Sequence, residues 1–350
     1  MLSTKYQELT STGLQVCFFI SNFVEDAMDT NGCLFHITHR AMKNRRFSSN
    51  VLNHCYQRTA DRGVLFYTDI DHLVFFTIFC IVAERRKIQV LKLVQMPDHY
   101  HHSSIAKRRK QLTDFQRDLT SLLAREYNGA WGRSGPLMET PFGSAPKWGD
   151  KNVRTNLIYL DNNPVERKLV KRADEYRWNY LAYGASDHPF SEKMALRYAS
   201  MPLRHALKRV KLIRDDGKYL TYRVIQSLLD SIPTDREKEQ LKDFVIKTYS
   251  VIDHKAATRY FGGYAQELIA AASNTGSEYD ISESFIGKSD KYYSEFTDIL
   301  LTEREVIDIH EVLTLSAEDK QHLFDVLRRE SSAPEKQICA FLHLPVEVRR

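Results

Sequence analysis

Cysteine is scarce and scattered in this chain. Its five cysteines, Cys17, Cys33, Cys55, Cys80 and Cys339, include no CxxC pair and no even framework, which excludes a zinc ribbon and a disulfide scaffold and fits a reducing, cytoplasmic compartment. Long apolar runs are missing as well. The longest, residues 73–83 (LVFFTIFCIVA), falls well short of the roughly 18 residues that cross a bilayer, and Asp69, Asp71 and His72 stand directly before it. It reads as a buried helix, and no membrane partner is expected. The first residues carry one lysine before a short apolar patch (LQVCFFI) without a small-residue cleavage site, so no signal peptide is expected. There is no internal repeat, no low-complexity linker, no phosphate-binding GxxxxGK[ST] loop and no helicase motif, which argues against chemistry driven by a nucleotide.

What is present is enough for a sizeable core: 350 residues, 43% of them apolar, a length that suits two domains. Fifty basic residues against 45 acidic ones leave a net charge of only +5. Between Arg85 and Lys110, however, eight basic residues face the single acid Asp98, a local +7 that leaves the rest of the chain slightly acidic. Periodicity divides the chain into a leader over residues 1–30, a mixed domain over 31–185 and a mainly helical domain over 186–350. Within the mixed domain, residues 33–38 (CLFHIT) read as a short strand and 71–86 as a helix. Residues 88–94 read as a strand, Pro97-Asp98 as a turn, 99–105 as its paired strand, and a further helix carries Leu112, Phe115, Leu119, Leu122 and Leu123. Residues 128–150, rich in Gly, Pro and Ser, read as a loop or irregular hairpin. A last helix is expected from about Lys151 to Asn163, where Pro164 disfavours helical geometry in the residue before it.

Two groups of residues can carry chemistry. In Met96-Pro97-Asp98-His99-Tyr100-His101, the alternation of a strand projects His99 and His101 to one face and Tyr100 and His102 to the other, so that two imidazoles can grip one divalent ion. In a chain with 13 histidines, a chance pair is the competing reading. Tyr159 and Asn163, four apart on a helix, share a face one turn apart. A phenol titrates near pH 10 and attacks well only when a cation withdraws charge from its target. Taken without the histidines, Tyr159 reads better as a core aromatic on an amphipathic helix.

Four islands in order carry a resemblance: MPDHYH (96–101), WGRSG (131–135), YLDNNPV (159–165) and YRWNYLAYGA (176–185). Together they resemble the single-tyrosine HUH transposases, and more closely the repetitive-extragenic-palindrome-associated tyrosine transposases, whose islands read MPNHxH, YGRSG, YIxxNPV and YRWSSYxxYLG. The resemblance covers roughly residues 33–185. It implies an α+β fold, an antiparallel sheet with flanking helices of the ferredoxin-like or RRM-like HUH type, with the helical C-terminal domain added. It also implies a metal-dependent nickase and strand transferase in which Tyr159 is the nucleophile and His99, His101 and Asn163 hold manganese or magnesium, with Asn162 a rival for the third position. The implied substrate is single-stranded or hairpin DNA at palindromic repeats, in a nucleoid-associated setting, by a monomer or homodimer. The chain departs from the pattern in two places. His102-Ser103-Ser104 stand where aliphatic residues are usual, and Pro136-Leu137-Met138-Glu139 follow the GRSG loop in place of His, aromatic and basic residues.

A phosphate backbone would suit the basic set Arg85, Arg86, Lys87, Lys107, Arg108, Arg109 and Lys110, with Arg133 in the loop, and unpaired bases would suit Trp131, Trp148 or Tyr100. Solvated helix ends explain the basic set equally well, and the basic stretch 193–211 has the same two readings. Residues 316–330 and 334–344 pattern as two helices, either the start of a DNA-binding helix-turn-helix or a helical scaffold or self-association module. Three further functions stay open: a hairpin-binding protein without turnover, a replication or mobilisation initiator of the same superfamily, and a hydrolase built on His99, His101 and His102.

Overall fold

The apolar run at residues 73–83 has no polar face to offer water, and it lies in the middle of helix α1 (Asp69–Arg86), buried from Asp71 to Ala83. The helix starts where the Asp71 carboxylate accepts hydrogen bonds from the backbone of Tyr67 and Thr68, and it ends at Lys87, which adopts the left-handed conformation. A helix apolar all round needs cover on every side. One side is the sheet, and α2 (Arg109–Trp131), α5 (Tyr222–Ser231) and α6 (Asp235–Tyr249) supply the rest.

The computed structural model describes residues 46–193, 195–273, 286–287, 289–303 and 305–345, with the backbone of two short strands before them. Those strands, β1 (Ala27–Met28) and β2 (Leu34–Phe35), pair antiparallel within a first unit, Met1–Met42. The rest of the expected leader and of the CLFHIT run lies outside the described residues.

The second unit, Lys43–Arg350, holds a four-stranded antiparallel sheet in the order β4-β5-β3-β6. Its strands are β3 (Leu52–Arg58), β4 (Gln89–Met96), β5 (His99–Ile105) and β6 (Gly143–Lys147). The chain runs β3-α1-β4-β5-α2-β6, the βαββαβ order of ferredoxin-like domains. α3 (Gly149–Glu166) then crosses the face opposite α1. The fold is thus α+β, an antiparallel sheet with flanking helices.

Strand β3, which the sequence reading did not include, pairs with β5. Two sequence expectations are corrected. The glycine- and proline-rich stretch contains the end of α2 and the strand β6, whose Pro146 is tolerated because β6 is a sheet edge. Helix α3 begins at Gly149 and continues through Pro164, which sits in its last turn, to Glu166.

Beyond residue 186 the described elements are helices, including α4 (Met201–Asp215), α7 (His254–Thr258), α8 (Tyr264–Ser273), α9 (Lys291–Thr302), α10 (Ala317–Glu330) and α11 (Glu335–Leu342). The core crosses the boundary expected there: Phe76, Phe79 and Tyr180 share one apolar cluster with Leu203, Val210, Ile225 and Val245. A second cluster joins Phe296, Leu323, Val326, Ile338 and Phe341 to Val64. No helix among the described residues is long and apolar enough to cross a membrane.

His310 fastens this helical part to the N-terminus of α1. Its Nε2 lies 3.0 Å from both oxygens of the buried Asp71 carboxylate, its Nδ1 lies 2.8 Å from Asp308, and its ring stacks on Trp131 at 3.7 Å between centroids. Burial alone would lower its pKa, but the charge of Asp71 and the hydrogen bonds to Asp308 and Asp71 outweigh burial and raise it to about 9. Because the folded value lies above the unfolded value of 6.5, the stabilisation is fully present below pH 6.5 and is lost as pH rises through 9. Wild type is therefore expected to lose roughly 3 kcal/mol more stability than His310→Gln between pH 6 and pH 10 in urea titrations. Parallel losses in the two proteins would remove His310 from this role.

Candidate active site

The expected alternation of β5 is present. His101 and Ser103 face α3, where Tyr159 and Asn156 meet them, and Tyr100 and His102 face α1, against Phe75 and Phe79. Every one of these strand residues is buried, so each polar group needs a partner. On the α1 face, the Tyr100 hydroxyl lies 2.9 Å from Gln57 and from Gln116, while His102 Nδ1 lies 3.1 Å from Ser104. The Gln116 amide sits against His102 Nε2 at 2.5 Å. Burial, aided by His101, pushes His102 down to about 3, so it is neutral at neutral pH. The polar His102-Ser103-Ser104 run thus packs without aliphatic residues.

On the α3 face, the rings of His99 and His101 are perpendicular with centroids 4.9 Å apart, and His101 lies 5.7 Å from the ring of Tyr159. Asn163 Nδ2 donates to the Tyr159 hydroxyl at 3.3 Å, which places the two on one helical face. The structure therefore brings His99, His101, Tyr159 and Asn163 into one neighbourhood. Asn162, the rival for the third position, donates its amide to Ala271 on α8 at 2.7 Å and is directed elsewhere.

Two partners of the histidines were not identified from the sequence. Asp98 Oδ1 lies 2.5 Å from Nδ1 of His99, and Arg58 lies 3.7 Å from the other Asp98 oxygen. His54, on β3, places Nε2 2.9 Å from Nδ1 of His101. Each site imidazole is thus engaged through Nδ1, so metal coordination would fall to Nε2. The missed signal is in LNHCYQR itself: polar His54 and Arg58 alternate with Cys55 and Gln57, each pair on its own face. Burial would raise the Asp98 carboxyl, but His99 and Arg58 beside it hold it below the usual range.

The expected DNA-contact residues are not gathered around this neighbourhood. Lys107, Arg108, Arg109 and Lys110 follow the end of β5 that is distal to His99, about 20 Å away along the strand. Arg85, Arg86 and Lys87 end α1 beside them, where Arg86 pairs with Asp118 and Asp114, Arg85 donates to Gly217 and Lys110 pairs with Asp114. Arg133 donates to Asn128 and Pro136 and closes its own loop. Of the aromatics, Tyr100 is buried, Trp131 is stacked on His310 and Trp148 is 59% exposed. On α4, Arg204, Lys208 and Lys211 border a shallow groove of about 510 Å³ with Leu196 and Phe244.

At the Asp98–His99 end of the neighbourhood, Arg167 follows α3 and its guanidinium binds Asp290 and the carbonyls of Ile286 and Gly287. This contact sits close enough to Asp98 to feel its charge. Tyr159 is 3% exposed and His101 0%.

No protein-family model and no curated protein matches the chain. Among solved structures, one described as a REP-associated tyrosine transposase bound to a REP hairpin is similar, at 13% sequence identity and a TM-score of 0.37, over 46% of this chain and 95% of that one.

Val153, Leu157 and Leu160 pack α3 on Leu91, Val94 and Met96 of the sheet, and a buried charge cluster joins them. An irregularity between Val90 and Lys92 turns Leu91 and Lys92 both toward α3, where Lys92 Nζ lies 2.6 Å from Asp161 and 2.9 Å from Glu267 of α8. Burial, with Glu267 adding to it, raises Asp161 to about 7 against the pull of Lys92. Removing the cation leaves two carboxylates buried together. Lys92→Met is expected to lose about 3–5 kcal/mol in chemical denaturation, which is the cost of breaking a buried pair. A loss under 1 kcal/mol would show that the cluster does not anchor the helix.

Proposed function

We propose that this chain is a metal-dependent nicking and strand-transfer enzyme of the single-tyrosine HUH type, acting on single-stranded or hairpin DNA. Tyr159 is its nucleophile, and His99, His101 and Asn163 are the residues that would hold manganese or magnesium. One observation carries the reading: an imidazole and a phenol 58 residues apart in sequence lie 5.7 Å apart between ring centroids, with an amide on the phenol oxygen.

The residues fit a divalent ion. Two imidazole nitrogens and an amide oxygen make a mixed donor set that suits manganese somewhat better than magnesium. Asn163 Oδ1 is buried and accepts no hydrogen bond among the described residues, which supports a ligand role. Among the described residues no group of three or more His, Cys, Asp or Glu side chains is arranged to hold a metal, and the proposed set has an amide as its third member. Bound there, the cation supplies charge withdrawal from a non-bridging phosphate oxygen.

The chain's own groups then have defined tasks. The Tyr159 oxygen forms a bond to phosphorus as the P–O3′ bond breaks, which leaves a 5′-phosphotyrosine and a 3′-hydroxyl that carries the phenol's proton. Asn163 Nδ2 holds the phenol oxygen in place. Attack by a 3′-hydroxyl on the phosphotyrosine reverses the step and joins strands without a nucleotide. The exposed Lys107, Arg108 and Arg109 are assigned to backbone phosphates of the hairpin, away from the cut.

Burial favours a second reading. A phenol 3% exposed and imidazoles at 1% and 0% leave no room for a phosphate unless the cover over them moves. In that reading the chain binds DNA hairpins without turnover.

A hairpin with a single-stranded foot, incubated with the full chain and manganese, separates the two. The enzyme reading predicts a covalent protein–DNA adduct on a denaturing gel, reduced at least 100-fold in Tyr159→Phe and in His101→Ala. An undiminished adduct in Tyr159→Phe would reject the nucleophile. Salt-sensitive hairpin binding with no adduct under any divalent ion would leave the second reading standing.

A further inference from the structure

We infer that His54 is a positioning residue that fixes the tautomer and ring orientation of His101 for metal binding, an inference that rests on the proposed function. The geometry is specific. His54 is 2% exposed on β3, its ring lies 5.1 Å from that of His101 between centroids and is inclined to it by 28°, and its Nε2 lies 2.9 Å from Nδ1 of His101.

An imidazole that ligates through Nε2 must carry its proton on Nδ1, and when that nitrogen is buried the N–H needs an acceptor. Metal-bound histidines are generally oriented by such an acceptor, and its loss weakens metal affinity about 10–100-fold. For His99 the acceptor is Asp98, itself steadied by Arg58. For His101, His54 Nε2 occupies the same place. His54 therefore accepts from His101 and carries its own proton on Nδ1.

His54 is not a third ligand for the same ion. It bonds the Nδ1 edge of His101, and the two nitrogens of one imidazole point away from each other, so it stands behind the ring and not beside the ion. The two acceptors also differ in charge. Asp98 contributes one negative charge and His54 none, which leaves the cation more of its attraction for phosphate than two carboxylates would.

The test measures manganese affinity of the full chain by the paramagnetic signal of free Mn²⁺, alongside its thermal midpoint. Three variants are compared with wild type. His54→Gln returns an amide near the position of Nε2, His54→Asn is polar but too short to reach His101, and His54→Leu has no acceptor. The expected result is a Kd within about 3-fold of wild type for Gln and weaker by about 10–100-fold for Asn and Leu, with no matching order in thermal midpoint. Asn serves in place of Leu should Leu fail to fold. Equal affinity in wild type and the folded Asn variant would overturn the inference and leave the proposed function intact. A folded wild type that takes up no manganese at that site would overturn both, since the metal reading itself then fails.

Discussion

Strand β5 is interior to the sheet and buried from His99 to Ser104, yet it consists of histidines, a tyrosine and serines. A strand of that composition is stable in the interior only if both layers answer its polar groups, because each buried donor or acceptor left without a partner costs about 1–3 kcal/mol. The rest of the domain follows from this constraint. Gln57 and Gln116 answer Tyr100, Ser104 and Gln116 answer His102, Asn156 answers Ser103, and Asp98 and His54 answer the two site histidines.

Because side chains alternate, the same strand serves two purposes. Its α1 face is structural, a polar seam set among Phe75, Phe79 and Phe115. Its α3 face gathers two imidazoles, a phenol and an amide whose chemistry is unlike that of a packing core. The position of α3 decides whether those groups meet. Lys92 locks the helix through Asp161, and the shift in register beside it is what turns Lys92 toward the helix at all. That ion pair and the packing of Tyr159 and Leu160 on Val94 and Met96 together hold the tyrosine's helix near the histidines.

Much of this was readable in the chain. The HxH alternation, the apolar α1, the leucine spacing of α2 and the Tyr159–Asn163 turn all follow periodicities that burial enforces. β3 was not readable, because His54 and Arg58 face the site and Gln57 answers Tyr100, so an interior strand carries a polar pattern. Pro164 misled because the helix carries on through the proline and ends only two residues later, so the proline marks the approach of its end and not the end itself. Where the basic residues stand was not readable either: Lys107–Lys110 follow His99 closely in sequence, yet a strand's length puts them at its far end. The His310–Asp71 clamp joins residues 239 apart and has no local signature.

In the proposed function, His99, His101 and Asn163 converge on one cation within reach of the Tyr159 oxygen. Anomalous diffraction at the manganese edge from crystals of the full chain soaked in Mn²⁺ tests it most directly. The expected result is a peak bonded to Nε2 of both histidines and to the Asn163 amide oxygen. A well-ordered site without a peak, or manganese bound only elsewhere on the chain, would contradict it.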